Sequence, residues 1–126
     1  MKKKKNKYVE KRRQPRIKKC INFEIKTDGS TIMAESIDLS CIGVNCRVNK
    51  YIHVMTNLKI ILALPSRDQE SEVEYVECNG VVVRVDKASS KADVGDIYIM
   101  AIYFNEISES VKEKIANFLK KSSGHS

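Results

Sequence analysis

An arginine-rich segment near the N-terminus, KRRQPR, holds side chains suited to binding an anion. It places Arg12 and Arg16 four residues apart, with Arg13 beside the first. Pro15 removes an amide donor and steers the preceding residue away from helical angles, so we expect a loop rather than a helix. Guanidinium groups on a loop approach a ligand from several sides. Their paired N–H donors match phosphate oxygens and the O6/N7 edge of guanine.

A second polar segment, DLSCIG, begins roughly twenty residues later, where a strand is predicted to end. The carboxylate of Asp38 is able to accept from the N1/N2 edge of guanine or to anchor an arginine. Ser40 offers a hydroxyl to a phosphate or a base, and Gly43 permits a positive φ or a close backbone approach. Asn45 and Arg47 follow on the polar face of the next strand as candidate ligand contacts. The same residue types also serve simply as turn residues.

The bulk composition fits one soluble domain. The chain has 126 residues, of which 42% are hydrophobic and 31% are charged, which is enough for a single core. No apolar run approaches the roughly 20 residues that a membrane helix needs. No apolar segment follows the basic N-terminus. We therefore predict no membrane span, no secretory signal and a cytoplasmic location.

Positive charge is concentrated at the N-terminus. Residues 1–19 contain 11 of the 23 lysines and arginines and a single acid, Glu10, whereas the remainder contains 12 basic and 15 acidic residues. The N-terminal segment thus carries +10 and the remainder −3. Nucleic-acid-binding domains more often spread basic residues over a folded face, so we predict no specific nucleic-acid site. A tail of this charge is still able to bind polyanions.

Metal ligands and catalytic groups are in short supply. The four cysteines include no C-x-x-C pair and there are only two histidines, so we predict no metal site. Reduced thiols are expected, with Cys20, Cys46 and Cys78 acting as small core residues. The sequence contains no nucleophile–base arrangement, paired-carboxylate signature or lysine-bearing glycine-rich phosphate loop. We predict a binding protein and not an enzyme.

Alternating apolar residues predict six or so short antiparallel strands. These predicted strands cover residues 18–26, 31–38, 44–48, 58–64, 73–86 and 97–104. Asp28-Gly29 is a strong signal for a hairpin between the first two. Asn79-Gly80 lies inside the fifth run, which is therefore either one strand with a glycine bulge or two strands across a tight turn. Residues 87–96 are expected to form a polar loop.

The C-terminal part of the chain changes to a helical period. Residues 108–121 carry an apolar stripe at helical spacing, with Ser108 as a candidate N-cap. The members of this stripe are Val111, Ile115, Phe118 and Leu119. Strands at the observed spacing favour a small barrel, since closure removes exposed strand edges. We predict a mainly β fold with a disordered basic tail over 1–9, one domain over 10–121 and a frayed end over 122–126.

The two polar segments together are similar to the pattern of the PilZ domain family. Arg12-x-x-x-Arg16 comes just before the first strand, and Asp38-x-Ser40-x-x-Gly43 comes after the second. Either motif alone is weakly specific, but the ordered pair in this arrangement of strands is considerably more so. The chain thus resembles this family at both of its named binding motifs.

The resemblance covers residues 10–119, including GVVVRV and the closing YIMAIYFNEIS. It implies a six-stranded antiparallel PilZ-type β-barrel with a C-terminal α-helix, which binds the bacterial second messenger cyclic di-GMP. In family members the arginine loop folds over the ligand, and the Asp-x-Ser-x-x-Gly turn holds it from the barrel face. One departure is Ala101, which stands where many members carry a glycine in the last strand.

We predict a stand-alone cyclic di-GMP receptor or adaptor that orders its N-terminal arginine loop on binding. It would signal to an unidentified effector protein, with motility and polysaccharide machinery as candidates. The predicted ligand-binding residues are Arg12, Arg13, Arg16, Asp38, Ser40, Gly43, Asn45 and Arg47. Two alternatives stay open: a polyanion binder that acts through the basic tail, and a PilZ-like domain that binds only protein.

Overall fold

Six antiparallel strands close into a barrel that is followed by one helix. The computed structural model describes residues 21–65, 72–91 and 95–123. The strands are β1 (Asn22–Thr27), β2 (Ser30–Leu39), β3 (Gly43–Val48), β4 (Asn57–Pro65), β5 (Val73–Lys91) and β6 (Gly95–Glu106), and the helix is α1 (Glu109–Ser123). The strand order around the barrel is β1-β2-β3-β6-β5-β4, with β4 pairing back to β1. The predicted fold class is confirmed.

Alternate residues of each strand fill the interior of the barrel. Phe23 and Ile25 of β1 are almost completely buried, and the intervening Glu24 is not. This follows from the period of two that sends successive side chains to opposite faces of a sheet. Cys46 and Cys78 lie in the same core as free thiols, as predicted. The corresponding prediction for Cys20 falls outside the described residues.

The two ends of the barrel carry different connections. Asp28 and Gly29 have φ values of 45° and 78°, and they join β1 to β2 in the tight hairpin predicted from the sequence. Because all strand pairs are antiparallel, the β3–β4 connection lies at this same end. The β2–β3 turn, the start of β1 at Asn22 and the start of α1 lie at the opposite end of the barrel.

The fifth apolar run is one strand, which resolves the two alternatives left by Asn79-Gly80. Its pairing with β6 shifts register between Asn79 and Val81, between Val82 and Arg84, and again further along. β5 continues to Lys91 and β6 begins at Gly95, so most of the expected polar loop over 87–96 is strand. The reason is that β4 pairs with β5 only as far as Val81. Beyond that point β5 pairs only with β6, and before Tyr98 β6 does not yet pair with β3, so the tip of this hairpin needs no apolar alternation.

The C-terminal helix seals the end of the barrel nearest the β2–β3 turn. The Ser108 hydroxyl accepts from the amide of Val111 at 3.2 Å, which confirms the predicted N-cap. Ile115 and Leu119 are fully buried, as the apolar stripe predicts. The helix runs two residues past the expected end at position 121. In the described part of the chain, no helix is both long enough and apolar enough to cross a bilayer.

Candidate functional site

A shallow pocket of about 180 Å³ lies on the outer face of the barrel where β2, β3 and β6 adjoin. Four predicted site residues line it: Asp38, Ser40, Gly43 and Asn45. Ala101, the residue that departs from the family glycine, lines it as well, and it is the cross-strand partner of Asn45. The structure therefore brings most of the DLSCIG segment together with Asn45 at a single surface pocket.

A β-bulge in β2 turns Asp38 toward this pocket. Ser36 pairs with Cys46 and Asp38 pairs with Asn45, so residue 37 is an extra residue in the ladder. Ser36 is buried, and strict alternation would also send Asp38 inward. The inserted residue reverses the alternation and places Asp38 on the outer face, beside Asn45. There the Asn45 amide Nδ2 donates to the Asp38 carboxylate Oδ1 at 3.1 Å, which orients that carboxylate.

Ser40 shapes the turn between β2 and β3. Its hydroxyl accepts from the amide of Ile42 at 3.2 Å and faces the carbonyl oxygen of Gly43 at 3.3 Å. Its own amide donates to the same Gly43 carbonyl at 2.9 Å. The side chain is 3% exposed. These bonds give Ser40 a local role as a turn residue, which fixes the spacing between Asp38 and Gly43.

Gly43 allows β3 to approach β6 closely. A Cβ built on this residue would stand 2.4 Å from the carbonyl oxygen of Ile102, a distance that real Cβ atoms do not reach. Within the described residues the glycines with positive φ are Gly29 and Gly95. Of the two roles expected for Gly43, the structure therefore supports close approach and not a left-handed turn.

Arg47 points to a neighbouring groove and not to the pocket. Its guanidinium forms an ion pair with Glu35 at 3.2 Å, and both side chains are about half-exposed. The groove has a volume of about 400 Å³ and also borders Met33 and Ile97. Exposed ion pairs contribute little stability, so Arg47 is readily available to an incoming anion. Its assignment as a ligand contact stays a prediction.

The three predicted arginines, Arg12, Arg13 and Arg16, lie outside the described residues. The place where their segment joins the barrel is nevertheless defined. The amide of Ile21 donates to the Ser36 hydroxyl at 2.9 Å, and the Ser36 amide donates to the Ile21 carbonyl at 2.9 Å. Ser36 immediately precedes the bulge that turns Asp38 outward. Ile21 therefore joins the barrel next to β2, the strand that carries Asp38.

Sequence reasoning did not identify the anchoring role of Ser36. It is one of two buried polar residues, the other being Ser40, in the described part of the chain. The sequence did contain an indication of this role, because Ser36 continues the inward-facing series of Ile32 and Ala34 in β2. A buried hydroxyl at such a position needs a hydrogen-bond partner, and here that partner is the entering chain.

Three exposed apolar side chains around the pocket were also missed. Ile42, Val83 and Tyr103 line it, and each is about half-exposed. Ile102 and Phe104 point into the barrel, so Tyr103 between them points outward. The alternation in YIMAIYF therefore predicts an outward tyrosine. Val83 is exposed because it follows the buried Val82, and the register shift after Val82 sends the next residue, Arg84, outward as well.

The turn that carries the pocket also touches α1. The Cys41 thiol donates to the carbonyl oxygen of Lys112 at 3.7 Å. Burial raises the pKa of the Cys41 thiol, and the Lys112 ammonium partly opposes that rise, so the sulfur is a protonated donor at neutral pH. Among the described residues, no group of three or more metal-ligating side chains converges on one point.

The model of the PilZ domain family matches residues 10–121. The chain belongs to the PilZ domain family. Among solved structures it is similar to the Bacillus subtilis inhibitor of motility, MotI/DgrA, with a TM-score of 0.69 and 17% identity over 88% of this chain and 50% of that one. This chain therefore spans about half the length of MotI.

A second similar structure is the PilZ domain of YcgR from Escherichia coli, solved with c-di-GMP. Its TM-score is 0.65 and its identity is 13%, over 89% of this chain and 93% of that one. No curated protein matches the sequence. At these identities the structural likeness shows a shared fold.

Proposed function

We propose that this protein is a cyclic di-GMP receptor that acts as an adaptor and not as an enzyme. Membership of the PilZ domain family supports the ligand class, and the similar YcgR domain was solved with c-di-GMP. The observation that carries the proposal is the pair of hydrogen bonds between Ile21 and Ser36. They hold Ile21, five residues after Arg16, against Ser36, two residues before Asp38, which supports a single surface for both motifs.

A short stretch of chain separates the arginines from the barrel. Arg16 precedes Ile21 by five residues, and five extended residues span at most about 17 Å. A fold-back of this segment would place Arg16, and through it Arg12 and Arg13, over the Asp38–Asn45 pair. Their guanidinium groups would bind phosphates and guanine edges. Asp38 would accept from a guanine edge or hold an arginine.

A few such contacts account for useful affinity. Hydrogen bonds to charged groups contribute about 1.5–3 kcal/mol each. Micromolar binding requires about 8 kcal/mol in total. Two or three arginine contacts together with base stacking therefore suffice for this affinity.

Ordering of the arginine segment on the ligand would be the output signal. The ordered segment and the adjacent barrel face would form a new surface, which an effector protein recognises. Motility and polysaccharide machinery are candidate targets, and the similar MotI is an inhibitor of motility. The basic tail ahead of the segment would then be positioned by ligand binding.

Calorimetric titration with cyclic di-GMP at moderate salt tests the proposal. Saturable binding is expected for the wild type, with strong loss in Arg16→Ala and in Asp38→Ala. Lys59→Ala is the control, because Lys59 is an exposed cation of β4 that is ion-paired to Glu77 at 3.1 Å and does not line the pocket. GTP and a DNA oligomer should be inert. Absence of binding by the wild type would overturn the proposal.

The charge distribution favours one alternative, a polyanion binder that uses the N-terminal tail. That segment carries +10 while the remainder carries −3. Such binding would show weak sequence preference and a steep loss of affinity with salt. Deleting residues 1–7 would abolish it and leave cyclic di-GMP binding largely intact. Titration of both ligands with this deletion variant separates the two functions.

A further inference from the structure

The outer face of β6 presents one aromatic ring to the candidate pocket. Tyr103 is 51% exposed and lines the pocket on the side away from Asp38. Its cross-strand partner in β3 is Gly43, which has no side chain, and Ala101 lies two residues earlier on the same face. Because both neighbours are small, no large side chain from these positions covers the ring.

Two further apolar side chains border the same area. Val83 is half-exposed next to the register shift that separates Val82 from Arg84. Ile42, at the tip of the β2–β3 turn, is exposed to a similar extent. Its carbonyl accepts from the amide of Phe104 at 2.9 Å, which fixes the turn against β6. The apolar side of the pocket is therefore held in place by main-chain bonds.

The pocket thus has a polar side and an apolar side. The hydrogen-bonded Asp38 and Asn45 form the first, and Tyr103 with its two apolar neighbours forms the second. Asp38 and Tyr103 are separated by two strand spacings and two residues along a strand, which is roughly 12 Å between their α-carbons. A phosphate alone would use neither side, because the Asp38 carboxylate repels it. A planar base joined to polar groups uses both.

We infer that Tyr103 is a stacking platform for a guanine base of the ligand and helps to determine specificity for a purine-containing messenger. This inference rests on the proposed function and extends it to a residue outside both sequence motifs. Aromatic rings of this kind stack on nucleobases, and their loss weakens binding substantially. The ring face contributes the affinity, so the hydroxyl of Tyr103 is dispensable.

Titration of cyclic di-GMP into Tyr103 variants tests the inference. Tyr103→Ala should weaken binding by about 5- to 100-fold, the range that stacking energies imply. Tyr103→Phe should bind as the wild type does. Tyr75→Ala is the control, since Tyr75 is 69% exposed and pairs with Ala63 in β4, away from the pocket. Equal melting temperatures for the variants would show that the fold is intact.

Tyrosine fluorescence supplies an independent readout, because the chain contains five tyrosines and no tryptophan. A base stacked on Tyr103 should quench part of the wild-type emission. In Tyr103→Phe that quenching should disappear while the affinity is retained. Wild-type affinity in Tyr103→Ala, or loss of affinity in Tyr103→Phe, would overturn the stacking role. Failure of the wild type itself to bind would instead overturn the receptor proposal together with this inference.

Discussion

Gly43 of β3 lies against the carbonyl oxygen of Ile102 in β6, so closely that a Cβ on residue 43 would be 2.4 Å from that oxygen. Gly43→Ala must therefore push two paired strands apart. We expect it to lower the free energy of unfolding by about 1–3 kcal/mol, the usual cost of overpacking. Urea unfolding or a thermal melt measures this loss, at about 3–6 °C in Tm for each kcal/mol.

Gly29→Ala is the informative control for this variant. Gly29 has a φ of +78° and no atom within 4 Å of an added Cβ, so its cost is conformational only. Its expected cost is about 1–2 kcal/mol, the penalty of a left-handed conformation for a residue with a Cβ. A Gly43→Ala protein as stable as the wild type would contradict the close approach of β3 to β6.

Removing the amide that orients Asp38 should weaken ligand binding with little effect on the fold. Asn45 donates to the Asp38 carboxylate at 3.1 Å on the outer face of the barrel. Asn45→Ala should reduce the affinity for cyclic di-GMP by about 3- to 10-fold, as expected for one hydrogen bond. Asn45→Asp should lower the affinity further, because it places a second carboxylate directly opposite Asp38 on the neighbouring strand. Equal affinities of the two variants would argue against an orienting role.

The bulge that turns Asp38 outward marks a limit of prediction from sequence. The alternation of Ile32, Ala34 and Ser36 is visible in the sequence, and it predicts one buried face correctly. Residue 37 is an extra residue in the ladder, and it sends Asp38 to the outer face. Nothing in the residue types around position 37 indicates this bulge. The DLSCIG motif therefore predicts a candidate site, but the geometry of the pocket depends on pairing with β3 that only the folded barrel supplies.

The long β5–β6 hairpin shows a second limit. Alternating apolar residues predict a strand when one of its faces is buried, as in β1 and β3. Past Val81, β5 no longer pairs with β4. Residues 87–91 are consequently polar although they are strand. By contrast, Asp28-Gly29 and Ser108 were predictable, since their positive φ values and capping bond are local properties.

Loss of the Ser36 hydroxyl should loosen the attachment of the arginine segment. Ser36→Ala removes the acceptor for the Ile21 amide, and we expect a loss of about 1–2 kcal/mol in stability. Hydrogen exchange at the Ile21 amide should accelerate more than exchange at core amides such as that of Ile60. Ser36→Thr, which keeps a hydroxyl, should restore protection. Unchanged exchange at Ile21 in the alanine variant would rule out this anchor.

Met55 adopts a left-handed backbone conformation at an energetic cost. Its φ is 73°, its side chain is 71% exposed, and its amide donates to the carbonyl of Val82 at 2.7 Å. Met55→Gly should therefore stabilise the protein by about 0.5–1 kcal/mol, since little packing is lost and the strain disappears. Val54→Gly, at an adjacent exposed position, should instead destabilise it. A lower melting temperature for Met55→Gly would contradict this account.

The buried thiol of Cys46 should make the fold sensitive to alkaline pH. Burial raises the pKa of Cys46 from 9.0 to about 12. The unfolded chain releases this proton near pH 9 and the folded protein retains it, so the unfolded state is favoured increasingly above pH 9. Stability from this thiol is complete below pH 9 and falls by at most about 1.4 kcal/mol per pH unit as the pH rises toward 12. Urea unfolding between pH 8 and 10.5 should show a shallower decline in Cys46→Ala than in the wild type, and parallel curves would contradict the prediction.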